Sequence, residues 1–75
     1  MTQTKQLTVI IEREDDGYVS LCPELDIASQ GDTIEEARSN LIEALELFFE
    51  TADASEIERR FNNEVLVERV EVKVG

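Results

Sequence analysis

The chain has 75 residues with 18 acids against 7 bases, no histidine and one cysteine, for a formal charge of −11. So short a chain makes a single domain spanning 1–75 and buries only about 60% of its unfolded surface, which favours self-association. The charge repels phosphate backbones, the lone Cys22 supports no disulfide framework, and no apolar run approaches the roughly 20 residues of a membrane helix. A cytoplasmic homo-oligomer, a dimer or higher, is expected, with no direct nucleic-acid binding and no membrane.

Met1 to Thr4 is polar and expected to fray. From Lys5 to Glu14, Leu7, Val9 and Ile11 alternate with Gln6, Thr8 and Glu12, which predicts a strand. Asp15-Asp16-Gly17 predicts a tight hairpin, with Asp-Gly supplying positive φ. The return strand is expected over Tyr18 to Cys22, with Val19 and Leu21 on one face and Tyr18, Ser20 and Cys22 on the other. Pro23 ends it, because proline cannot donate to a ladder. After Glu24-Leu25-Asp26, Ile27 to Gln30 reads as a brief third strand that stops at Gly31.

The only long helix is expected from Ile34 to about Thr51. Thr33 and Glu36 form a capping box in which the hydroxyl accepts the Glu36 amide and the carboxylate reaches back to the Thr33 amide. Ile34, Ala37, Leu41, Ala44, Leu45, Phe48 and Ala52 recur at threes and fours and make one apolar stripe. Ile42 and Phe49 lie to one side of that stripe and Leu47 beyond its other edge. This surplus covers either a second short helix or another subunit, so Ile42, Leu47 and Phe49 are the candidate oligomer interface. The short helix is expected over Ala54 to Phe61, capped by Asp53 or Ser55, with Glu56 and Arg60 paired. After a turn at Asn62-Asn63, Glu64 to Val74 predicts a closing strand in which Val70, Val72 and Val74 alternate with Arg69, Glu71 and Lys73. The fold class is therefore α+β: a small antiparallel sheet in β-β-β-α-β order, with the long helix packed on one face and the short helix before the last strand.

Catalytic signals are sparse. Without histidine the commonest general base and metal ligand are missing. Cys22 has no base beside it and reads as a small packed hydrophobe. No phosphate loop, dinucleotide fingerprint or zinc pair occurs. Glu14-Asp15-Asp16-Gly17 fits no full calcium loop. No catalytic residue, metal or cofactor is expected, and an interaction module is favoured over an enzyme. An enzyme built on carboxylates and a divalent metal is the remote alternative.

The acids are unevenly placed. Residues 14 to 37 carry eight acids and no base, whereas most of the bases stand near the two ends. A solvated surface explains such charge as well as a basic partner does.

The run Asp16-Gly17-Tyr18-Val19-Ser20-Leu21-Cys22-Pro23-Glu24-Leu25, followed by Ser29-Gln30-Gly31-Asp32-Thr33-Ile34-Glu35-Glu36-Ala37, then Asn40-Leu41 and Glu43-Ala44, resembles the HicB antitoxin family. The resemblance covers roughly residues 7 to 50, and its two motifs are specific only when taken together. It implies a truncated ribonuclease H-like fold. It also implies the antitoxin role in a type II toxin–antitoxin system: neutralising a small, basic, messenger-RNA-cleaving HicA-type toxin. Two departures stand out: no DNA-binding extension follows within the 75 residues, and Asp26-Ile27-Ala28 replaces a frequent Pro-Gly-Cys-like segment. Asp15 and Asp16 at the hairpin, Tyr18 beside them, and Glu24 and Asp26 at the next corner are the candidate partner-binding residues. The alternative is a solitary HicB-like domain that binds another protein or a small ligand.

Overall fold

The computed structural model describes residues 6–62 and 65–75. Strand β1 (Ile10–Glu14) pairs antiparallel with β2 (Gly17–Cys22), and β2 pairs antiparallel with β3 (Ile27–Gly31). Helices α1 (Ile34–Thr51) and α2 (Ala54–Phe61) follow, each with the bounds that periodicity predicts. The result is an α+β fold with a three-stranded sheet in the order β1-β2-β3.

Register decides which face of the sheet is the core. Ser20 and Cys22 are wholly buried, and the Ser20 hydroxyl donates to the Ala37 carbonyl at 2.8 Å. The even residues of β2 therefore face α1, while Val19 and Leu21 lie half-buried on the open side. Pairing of Ile11 with Ser20 puts Ile11 on the helix side, and pairing of Glu12 with Val19 puts Glu12 on the open side. Against the helix side α1 buries Ala37, Leu41 and Leu45, and the two leucines close on Cys22 and Leu25. Phe48 and Phe49 pack at the margin of this cluster. Ile34 of the expected stripe is exposed, although it lies in the first turn of α1.

Both ends of the β3–α1 connection are fixed by local chemistry. The Thr33 hydroxyl accepts the Glu36 amide at 3.0 Å, as the capping box requires. Glu36 reaches one residue further back than expected and accepts the Asp32 amide at 3.1 Å. Gly31 is needed here for space. A Cβ on it would stand 2.5 Å from the Ala37 nitrogen and 2.8 Å from the Glu36 carbonyl carbon. The close approach of β3 to the first turn of α1 is what lets Ser20 reach the helix backbone.

The hairpin differs from the expected Asp-Gly turn. Asp15 takes the left-handed backbone at φ 54°, which aspartate tolerates better than most residues, and Gly17 sits inside β2 opposite Glu14. The first strand is also shorter than expected. Lys5 lies outside the described residues, and residues 6 to 9 form no ladder. Continuing the register would put Thr8 opposite Pro23, which has no N–H to offer. A side chain takes over there: both carboxylate oxygens of Glu24 accept the Thr8 amide at 3.1 Å.

The expected closing strand does not form among the described residues. Its first residue, Glu64, and the turn residue Asn63 lie outside the described residues, and residues 65–75 carry no strand and are exposed. Alternation alone does not make a strand, because a strand needs an edge to pair with. The α+β class stands, and the last strand of the β-β-β-α-β order is not seen among the described residues.

Helix α2 is capped by Asp53, whose carboxylate accepts the Glu56 amide at 2.8 Å. Glu56 and Arg60 pair at 3.1 Å, as their spacing predicts. Arg60 also donates to the Leu25 carbonyl and lies 5.5 Å from the centre of the Phe48 ring. One side chain thus ties the short helix to both the β2–β3 corner and α1.

Candidate binding surface

The structure places the sequence-derived partner residues at two opposite ends of β2. Asp15, Asp16 and Tyr18 stand at the hairpin tip, while Glu24 and Asp26 lie past the other end, about 20 Å away for a strand of this length. They do not form one site.

At the tip, a shallow depression of about 560 Å³ opens between the hairpin and the β3–α1 connection. Its rim carries Glu14, Asp15, Asp16, Asp32 and Glu36, and none of its lining residues is basic. Tyr18 and Asn40 stand among these carboxylates. Asn40 is anchored, since its side-chain amide donates to the Gln30 carbonyl at 2.7 Å and pins α1 to β3. Asp32, Glu36 and Asn40 join the site only through folding. The acid-rich, base-free span from 14 to 37 already held all five carboxylates, but it did not show which of its acids meet. Such a surface offers negative potential with a phenol at its edge, suited to lysine- and arginine-rich partners. Among the described residues no three acidic, cysteine or histidine side chains converge closely enough for a metal ion.

The other corner is built differently. Glu24 accepts from the Thr8 amide, the Thr8 hydroxyl and the Cys22 thiol, so most of its bonding capacity is used inside the chain. Partial burial pushes its carboxyl upward, but the bonds from the Thr8 hydroxyl and the surrounding backbone amides outweigh this and hold it below the ordinary 4.5. Burial, reinforced by that carboxylate, pushes the Cys22 thiol above its ordinary 9.0 and keeps it protonated at neutral pH. Asp26 is exposed and takes the left-handed backbone at φ 54°. It remains open to a partner, whereas Glu24 works chiefly as a clasp between Thr8 and the corner.

A carboxyl with a lowered folded value stabilises the fold fully above its unfolded value and loses that contribution as pH falls through the folded value. Stability of the native chain should therefore decline below about pH 4.5 more steeply than that of Glu24→Gln. Urea midpoints between pH 7 and 3 test this, and parallel curves for the two proteins would refute it.

Of the candidate interface residues, Phe49 is half-buried and stacks on Phe61 of α2, with ring centres 6.0 Å apart and planes at 22°. Ile42 stays 43% exposed and Leu47 58% exposed, on different sides of α1. Ile42 and Phe49 line a second, larger groove of about 1110 Å³, together with Leu7, Val9, Ile57 and Phe61. Leu47 is not part of it. No described helix is long and apolar enough to cross a membrane.

Two curated proteins of Synechocystis sp. are similar to this chain. The protein ssr1765 is 49% identical over 51 residues, covering 65% of this chain and 65% of its own length. The protein ssl0738 is 51% identical over 47 residues, covering 60% of this chain and 65% of its own length. Both are UPF0150 proteins. The chain thus matches just under two thirds of the length of each UPF0150 relative. No family model matches it. No solved structure matches it.

Proposed function

We propose that the chain is a HicB-type antitoxin that neutralises a small, basic, messenger-RNA-cleaving toxin of the HicA type in the cytoplasm. The observation that carries this reading is the hairpin-tip surface, with five carboxylates, a tyrosine and no basic lining residue. A toxin that grips RNA must present lysines and arginines to phosphate. A rigid surface of opposite sign can occupy those side chains, and its field raises the rate of encounter. The sequence resemblance supports the same reading from another direction, through motifs whose residues build the hairpin, the Pro23 corner and the Gly31–Thr33 connection. In this scheme the chain performs no chemistry: it competes with RNA for the toxin's basic face.

Co-expression with a basic, RNA-cleaving protein encoded beside this chain is the test. Restored growth and co-purification of the two proteins are expected. Continued growth arrest with both proteins present in soluble form would overturn the proposal.

A further inference from the structure

The segment from residue 65 onward has strand patterning but pairs with no strand. Val70, Val72 and Val74 are 73%, 73% and 89% exposed, although their alternation with Arg69, Glu71 and Lys73 marks one face for burial. The radius of gyration is 14.6 Å, against about 11 Å for a compact chain of this length. The longest dimension is 51 Å. An 18-residue helix reaches only about 27 Å, so the excess belongs to chain that leaves the packed body.

Strand β1 is an edge of the sheet, and its two sides match the two sides of this segment. On the helix side lie Ile11 and, along the same flank, Leu7 and Val9, which open into the groove lined by Ile42 and Phe49. On the open side lie the exposed Glu12 and Glu14. A strand laid along this edge with its valines in the groove puts Arg69 and Lys73 on the same side as Glu12 and Glu14. The opposite edge offers no such match. There β3 presents Ala28 and Gln30 on the open side, with no acid, and the Gln30 carbonyl already accepts from Asn40.

We infer that residues 65–75 of one copy add as a strand to the β1 edge of a second copy, reciprocally, in a closed twofold dimer. None of residues 65–75 lines the groove of its own chain, and a second copy supplies an identical groove with the same charge pattern. Exchange in both directions pairs the β1 edge of each copy and leaves neither donor segment nor groove vacant for a third copy. The inference is independent of any toxin.

The full chain should have twice the 8.5 kDa mass of one copy by light scattering at micromolar concentration. Val70→Lys with Val72→Lys disables the donor, and Ile42→Glu disables the groove; each variant alone should be monomeric with its helical circular dichroism intact. Mixed one to one, they should re-form a mixed dimer, because an intact donor then meets an intact groove. A monomeric native chain, a dimer that survives either variant, or a mixture that stays monomeric would each overturn the inference. The last result is the one that docking within a single chain would give.

Discussion

Replacing Gly31 with alanine should destabilise the fold by about 3 kcal/mol and lower Tm by more than about 10 °C. The added Cβ would lie 2.5 Å from the Ala37 nitrogen and 2.8 Å from the Glu36 carbonyl carbon, both of them backbone atoms inside a helix. Neither can swing away as a flexible side chain would, so β3 and α1 must separate. That separation also stretches the 2.8 Å bond between Ser20 and the Ala37 carbonyl, and it leaves a wholly buried hydroxyl poorly satisfied. A domain of this size holds only about 4–11 kcal/mol in total, so a large share of stability is at stake. Gly17→Ala is the natural comparison: its Cβ would meet one carbonyl, Gly31 O, at 3.0 Å, and a smaller loss of about 1 kcal/mol is expected. Urea unfolding followed by circular dichroism measures both. A Gly31→Ala midpoint equal to that of the native chain would show that strand and helix do not approach this closely.

The same region shows what the sequence made legible. Both helices were legible, α1 to about Thr51 and α2 with its cap open between Asp53 and Ser55, because their signals are local: a capping residue, an apolar period, and a break after it. The positions of the hairpin and third strand were legible for the same reason, from the turn-forming run 15–17 and Pro23, although Asp15 and not Gly17 takes the positive φ. The side of the sheet that forms the core was not. Val19 and Leu21 are the more apolar face of β2, yet Ser20 and Cys22 are buried, because small side chains let α1 approach and Ser20 finds a backbone partner there. The end of β1 depended on Glu24 reaching across to Thr8, a contact between residues 16 apart that no local pattern reveals. The last segment failed for a deeper reason. Its alternation describes what the strand needs, not where the needed edge lies. At the binding surface the acid-rich span was visible, but its division into a tip and a separate corner required the length and direction of β2.

That division makes the hairpin tip and the Asp26 corner separately testable. In complex with a basic toxin, Asp15→Asn combined with Asp16→Lys should weaken binding about a hundredfold, or ~3 kcal/mol, because close charge pairs across interfaces couple by roughly 1.5 kcal/mol or more. Asparagine is chosen at Asp15 because it accepts the left-handed backbone at φ 54°, so the turn itself is kept. Asp26→Asn keeps the same geometry at the corner and removes one charge, and a loss of only a few-fold is expected. Glu24 is unsuited to this comparison, since altering it also releases Thr8. Most of the loss at the tip should fall on the association rate and shrink as salt rises, because steering by exposed charge is screened within about 8–10 Å at ordinary ionic strength. Titration of the variants against the toxin at two salt concentrations reads all of this. Native-like affinity in the tip variant, with its helical signal unchanged, would remove the hairpin from the interface. A dominant loss at Asp26 would instead move the contact to the far end of β2, on the corner that Arg60 ties to α2 through the Leu25 carbonyl.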